Sequence, residues 1–192
     1  MSRAQSTTSQ QQLNPQLQLA TLGGGCFWCL EAAFEQISGV IDVESGYAGS
    51  DHRPASYEAV CTGATGLAEV VQVLFDPALI SYESILNVFF SIHDPTTLNR
   101  QGADKGTQYR SVIYSHSTAQ VEIARTVLGE VAAIWGAPIV TELTEVNHYS
   151  RAEDYHQEYF RHHPQQGYCQ AVISPKLAKL RAQHSSLLKS LK

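Results

Sequence analysis

The segment LQLATLGGGCFWCLEAAFEQIS, residues 17–38, reads as a strand, a glycine hinge and a helix in direct succession. LQLATL runs as a strand into the glycines, and Phe27, Leu30, Phe34 and Ile37 recur at helical spacing until Gly39 stops the helix. The hinge puts Cys26 at the helix start, between glycines and two large aromatics. A thiol so placed is open to approach from outside. Further along, VIDVESGYAG (40–49) predicts a second strand ending in a turn, and residues 54–60 a short helix opened by Pro54 and closed near Gly63. AEVVQVLFD (68–76) is a strand and PALISYESILNVFFSIH (77–93) a helix starting at Pro77. HDPTTLNRQGADKGTQ (93–108) is a polar loop, and a structureless loop of that length in a compact domain is usually functional or disordered.

YRSVIYSH (109–116) is a strand, residues 117–135 a helix with Ser117 as N-cap, and PIVTELTEV (138–146) a strand. A helix around Arg151 to Arg161, an irregular HHPQQGYCQAVISP (162–175) and a basic tail helix complete the chain. Strands and helices mixed without a regular βαβ rhythm predict an α+β fold, with helices packed on one or both faces of a mixed sheet.

A chain of 192 residues with 43% hydrophobic content buries one sizeable core. The expected organisation is a disordered, Gln-rich leader over 1–16 and a single catalytic domain over 17–192 that ends in a solvated basic tail. A net charge of −5 and the lack of a basic run argue against nucleic-acid binding. No apolar run is long enough to span a bilayer, and the N-terminus has no secretory h-region, which points to the cytoplasm. Four cysteines in such a chain are redox-active, metal-bound or inert rather than a disulfide scaffold.

At a helix N-terminus, free N–H groups and the macrodipole favour a thiolate, so Cys26 is expected to be the activated sulfur. Gly25 leaves its approach open, and Phe27 and Trp28 can wall an apolar pocket; the plainer reading makes them core residues around a small buried thiol. Cys29 completes a C-x-x-C pair of the redox kind. Zinc competes, but it wants four ligands, and Cys61 and Cys169 are isolated while His162 and His163 are adjacent. A hydrolase with a Cys/His pair also stays open. In AEVVQVLF, Glu69 shares a face with Val71, Val73 and Phe75. If that face is buried, desolvation keeps the carboxyl protonated and makes it a candidate general acid; otherwise it is a strand-end glutamate that reaches water. Tyr57 and Tyr109, taken singly, are packing aromatics.

Together, GCFWCLEAAF (25–34), GYAG (46–49), SYEAVCTGATG (56–66), AEVV (68–71), HDPTTLNRQGADKGTQYRS (93–111), AEDYHQEY (152–159) and GYC (167–169) resemble methionine sulfoxide reductase of the A type. The resemblance covers roughly Thr21 to Lys179, with its motifs in order and at compatible spacing. It implies a ferredoxin-like, two-layer α+β fold. It also implies that Cys26 attacks the sulfur of methionine S-sulfoxide, free or peptide-bound, that Phe27 and Trp28 hold the substrate methyl, and that Glu69 protonates the sulfoxide oxygen. Tyr57 and Tyr109 would assist, and Asp104 would fix the polar side. The resulting sulfenic acid would be resolved by Cys169 or by Cys29, the two left open, and the disulfide returned by thioredoxin. Cys61 is read as a buried bystander. The same resemblance implies a monomer that repairs oxidised proteins, with no metal and no organic cofactor. The chain departs from the family pattern at Leu67, where a histidine is frequent, at Ser50 after GYAG, and at His148-Tyr149, taken as a helix start. Within enzymes the rival is a C-x-x-C disulfide oxidoreductase; outside them it is a zinc-stabilised binding module.

Overall fold

A computed structural model describes residues 17–49 and 55–190. The expected leader and Pro54 lie outside the described residues. Strand β1 (Gln18–Gly23) enters helix α1 (Phe27–Phe34), and β2 (Val40–Gly49) follows. Helix α2 (Tyr57–Cys61), β3 (Ala68–Phe75) and α3 (Tyr82–Ile92) come next. A small hairpin of β4 (Arg100–Gln101) and β5 (Asp104–Lys105) precedes β6 (Val112–Ser115), α4 (Thr118–Trp135), β7 (Glu142–Glu145) and β8 (His148–Arg151). The chain ends in α5 (Tyr159–His162) and α6 (Ser174–Gln183).

Six strands form one sheet in the order β7-β6-β1-β3-β2-β8. Its centre, β6-β1-β3-β2, is antiparallel at every step, which is the ferredoxin-like arrangement. β8 adds antiparallel to β2, and β7 adds parallel to β6, so the sheet is mixed. The main core lies under the helices. Alternation on β3 sends Val71, Val73 and Phe75 into that core, while Ala68 and Val70 join Val112 and Tyr114 in a smaller cluster on the other face. Glu69 keeps the phase of the helix-side residues and therefore points under α1.

Gly25 turns the chain from β1 into α1 at φ +93°, a conformation that strains any residue with a Cβ. A Cβ there would also strike the Gln101 side chain, 2.7 Å away. The glycine is therefore needed for the turn and for the docked 93–108 segment, beyond the open approach inferred from sequence. At Gly46 a Cβ would run into the Tyr149 ring, so a side chain at that position would push β8 off the sheet.

Several elements differ from expectation. α2 opens at its N-cap Ser56, whose hydroxyl accepts the Ala59 amide at 3.3 Å, rather than at a proline. α3 likewise opens at Ser81, and residues 77–80 form a turn in place of a first helical turn. The 93–108 segment is ordered: Gln101 clasps the Asp94 amide and carbonyl, both at 3.1 Å, and the Gly106 amide bonds Asn99. The expected helix over 151–161 is instead the end of β8, a 3-10 turn at Asp154–His156 and the short α5, so His148-Tyr149 begin a strand. The expected irregular run at 162–175 holds a π-turn, Cys169–Ile173, that continues into α6. Pro175 explains it, because a proline removes an i→i−4 bond and crowds the carbonyl of the preceding turn, which the wider π-turn accommodates. The tail helix is docked through Leu177 and Leu180, which are buried in the main core. Among the described residues no helix is long and apolar enough to cross a membrane.

Candidate active site

Cys26 is the N-cap of α1, is 8% exposed and opens into a cavity. That cavity, of about 210 Å³, is lined by Cys26, Phe27, Trp28, Tyr57, Glu69, Asp104, Tyr109 and Tyr168. The residues come from five separate pieces of chain. β1, its glycines and α1 bring Cys26, Phe27 and Trp28; α2 brings Tyr57; β3 brings Glu69; the ordered loop brings Asp104 and Tyr109; and the segment before the π-turn brings Tyr168. A groove of about 990 Å³ between α1, α5 and the C-terminal segment is much larger but contains no cysteine, so size does not mark the site.

Glu69 is 1% exposed, and its Oε2 accepts the Phe27 amide at 3.1 Å. Burial pushes its carboxyl up to about 8, against the pull of that amide, with the charges of Asp104 and Cys29 adding to the rise. At neutral pH the group is an acid with a proton to give. Tyr57 and Tyr109 sit beside it, and burial raises both phenols, so each stays an O–H donor.

Cys26 departs from the thiolate expected of it. Burial holds its thiol well above the ordinary value, reinforced by a hydrogen bond with Cys29 and by the Glu69 charge, and opposed by the Trp28 amide. Helix-start stabilisation is a local effect, and loss of water around the sulfur outweighs it. Cys29, one turn along and 1% exposed, is lowered to about 7, chiefly by the hydrogen bond from Cys26, against burial and with help from Lys176 and Tyr168. Cys169 is fully buried at the start of the π-turn, on a helix rather than the loose segment the sequence suggested. Cys61, expected to be buried, is exposed at the end of α2.

Two further residues lie within the motifs AEDYHQEY and GYC but are given no task by the sequence. Tyr168 donates its hydroxyl to Asp104 Oδ2 at 2.7 Å, lies 3.9 Å from Cys29 Sγ and meets the Trp28 ring edge-on. His156 is buried and accepts the Trp28 indole N–H at Nδ1, 3.1 Å away, and burial lowers its pKa, which keeps that nitrogen free to accept. Tyr159 stacks on the other side of Trp28, 3.7 Å between centroids and 5° from parallel. The indole is thus fixed by a hydrogen bond, a stack and an edge contact. Among the described residues no group of three or more His, Cys, Asp or Glu side chains stands together as a metal site would require.

A thiol, a buried protonated carboxyl and phenolic donors around an apolar wall suit attack on a weakly polarised acceptor whose oxygen takes a proton as the bond forms. Comparison with known proteins agrees with this chemistry. The family model described as Peptide methionine sulfoxide reductase matches residues 18–188. The chain is 57% identical over 176 residues to Peptide methionine sulfoxide reductase MsrA of Polynucleobacter asymbioticus, covering 91% of this chain and 93% of that protein. Among solved structures it is similar to reduced Mxr1 from Saccharomyces cerevisiae, with a TM-score of 0.76, 38% identity and coverage of 82% of this chain and 91% of that one. It is also similar to Mxr1 in complex with Trx2, with a TM-score of 0.54, 26% identity and coverage of 77% and 87%.

Proposed function

The chain belongs to the peptide methionine sulfoxide reductase family, oxidoreductases that act on methionine sulfoxide, and from that premise we propose that its own residues reduce free and peptide-bound methionine S-sulfoxide through a sulfenic acid at Cys26. Phe27 and Trp28 take the substrate methyl. The sulfoxide oxygen turns to Glu69 and the hydroxyls of Tyr57 and Tyr109, with Asp104 on the polar side. Cys26 gives up its thiol proton and its sulfur attacks the sulfoxide sulfur while Glu69 protonates the oxygen. In the adduct the hydroxyl is still on the substrate sulfur. It passes to the Cys26 sulfur as the S–S bond and the substrate S–O bond break, methionine departs with the electron pair restored to its sulfur, and the proton lost by Cys26 returns to Glu69. The net change is one thiol and one sulfoxide converted to one sulfenic acid and one thioether.

A second thiol then displaces water from the sulfenic acid to form a disulfide. Cys29 is the partner at hand, since its amide bonds the Cys26 carbonyl at 3.1 Å and it stands one helical turn away, a separation a disulfide can span. Cys169 becomes a partner once the π-turn unwinds. Thioredoxin returns the disulfide to thiols, a reading supported by the likeness to Mxr1 solved with Trx2. Repair of oxidised proteins is the role that fits this chemistry.

The observation that carries the proposal is the buried, proton-bearing Glu69 sharing one cavity with Cys26. Its test is a single turnover of pre-reduced protein on N-acetylated, amide-blocked methionine sulfoxide. The expected result is a stoichiometric burst of the thioether, lost in Cys26→Ser. A burst retained in Cys26→Ser would remove Cys26 as the nucleophile.

A further inference from the structure

The last residue of the stretch GGGCFWCLE, Glu31, takes no part in the reaction above, yet it is one of the most deeply buried carboxyls of the protein. It is 1% exposed, and among the described residues its Oε1 has no hydrogen-bond partner. Among the described residues no cation pairs with it. Arg161, the nearest arginine along the facing segment, pairs with Glu35 and Glu158 instead. A carboxyl buried without a counter-charge is costly, and a leucine would fill the same space more cheaply. The group is therefore expected to have work that only an acceptor can do.

Its bonds show where. Glu31 Oε2 accepts the amide of Tyr159, the residue after Glu158, at 3.3 Å. Glu158 stands at φ +51°, a left-handed conformation that costs a residue with a Cβ about 1 kcal/mol or more and persists where surrounding bonds hold it. The next ring in the chain is Tyr159, the one stacked on Trp28. The neighbouring bonds clamp other points of the same segment: Gln157 to the backbone of Ser45, and Glu153 to the Tyr47 hydroxyl and the Tyr57 amide. None of these fixes the backbone at Tyr159.

We propose that Glu31 is a positioning residue of the substrate pocket, its carboxyl tying the strained Glu158–Tyr159 backbone to α1 and so holding the Tyr159 ring against the Trp28 indole. The inference rests on the reading of Trp28 as a wall of the substrate pocket. Glu31 acts through Tyr159 and touches no substrate. An acceptor suffices for this task and a charge is not needed. Glutamine keeps the acceptor, and its amide can donate to the Ser45 hydroxyl beside it.

The test compares Glu31→Ala and Glu31→Gln, each also in a Trp135→Phe background, where Trp28 is the sole tryptophan. In Glu31→Ala the sulfoxide concentration for half-maximal single-turnover rate should rise roughly tenfold, with the maximal rate within about twofold, as loss of one buried hydrogen bond implies. Trp28 emission should shift to the red as the stacked ring departs. Glu31→Gln should restore both. In a Tyr159→Ala background, Glu31→Ala should add no further change, because the two act as one unit. Should the alanine variant not fold, Glu31→Asp, one methylene shorter, is read the same way. Unchanged half-saturation and emission in a folded Glu31 variant, or additive effects with Tyr159→Ala, would overturn the proposal. Lack of sulfoxide turnover by the unsubstituted protein would instead overturn the functional reading, and the Trp28 emission would still decide the role of Glu31.

Discussion

Glu69, near the start of β3, accepts the backbone amide of Phe27, the first residue of α1, at 3.1 Å. This bond ties the acid to the helix that begins at Cys26, so proton donor and sulfur are set by one joint between sheet and helix. The bond also meets part of the carboxyl's hydrogen-bonding need without supplying a counter-charge. Burial, against the pull of that amide, keeps the proton on the carboxyl to about pH 8.

From that joint follows a pH profile. Below about 8 both Cys26 and Glu69 hold protons, and the productive form has one proton, on Glu69, with Cys26 ionised. Single-turnover rate at subsaturating sulfoxide should rise through about pH 8 and fall again at more alkaline pH as the last proton leaves. Glu69→Gln should lower the rate by about 10²- to 10⁴-fold and abolish the alkaline fall. A full-rate Glu69→Gln enzyme would remove the proton-donor role.

Stability should carry the opposite mark of the same burial. The folded carboxyl titrates at about 8 against an ordinary 4.5, so between those values the folded protein binds more protons than the unfolded chain. The stabilisation is complete below about 4.5 and is lost as pH rises through about 8. Glu69→Gln should therefore melt higher than the unsubstituted protein at pH 8, by an amount of the order of a few kcal/mol, and the gain should vanish towards pH 4.5. Melting curves of the reduced proteins across that range check it. An equal gain at both ends would assign the effect to packing.

The order of disulfides follows from where the thiols stand. Cys29 meets Cys26 in the resting fold, while Cys169 is locked in the π-turn. Quenched-flow mass mapping should find the Cys26–Cys29 bridge first. Cys169→Ser should complete one turnover at full rate yet be recycled poorly by thioredoxin. If a Cys26–Cys169 bridge forms as fast with Cys29→Ser as without it, Cys29 has no part in resolution.

The hydrogen bond from the Trp28 indole to His156 should matter to binding. His156→Phe keeps the ring and loses the acceptor, leaving a buried N–H unpaired. Half-saturation by sulfoxide should rise by roughly threefold to tenfold, the equivalent of about one hydrogen bond, with little change in maximal rate. Isothermal binding of a methionine sulfoxide peptide to a Cys26→Ser protein gives the same quantity without turnover.

The β1–glycine–α1 unit was legible because each signal in it is local: alternation, a hinge and helical spacing. The same holds for α4, where Ser117 accepts the Gln120 amide as its N-cap at 3.2 Å. β8 was not legible. Its sequence HYSR is short and half-exposed, and it becomes a strand by pairing with Gly46–Gly49, a contact across the chain. Gly167 and Pro175 suggested a loop where the π-turn absorbs the proline. The cysteines, Glu69 and the aromatic pair could be picked out by residue type and position. Tyr168, His156 and Glu31 could not be given tasks, because theirs arise only when distant segments meet around Trp28. The ionisation of Cys26 was misjudged for a related reason. A rule about helix termini acts locally, whereas desolvation is imposed by everything packed around the sulfur.

The most direct measurement is single-turnover reduction of the two separated sulfoxide epimers of an N-acetylated, amide-blocked methionine by pre-reduced protein, with mass mapping of the bridge formed. Turnover of the S epimer alone, leaving a disulfide that includes Cys26, is the expected result. Equal turnover of both epimers, or none of either with Cys26 and Cys29 merely exchanging with protein thiols, would contradict the account.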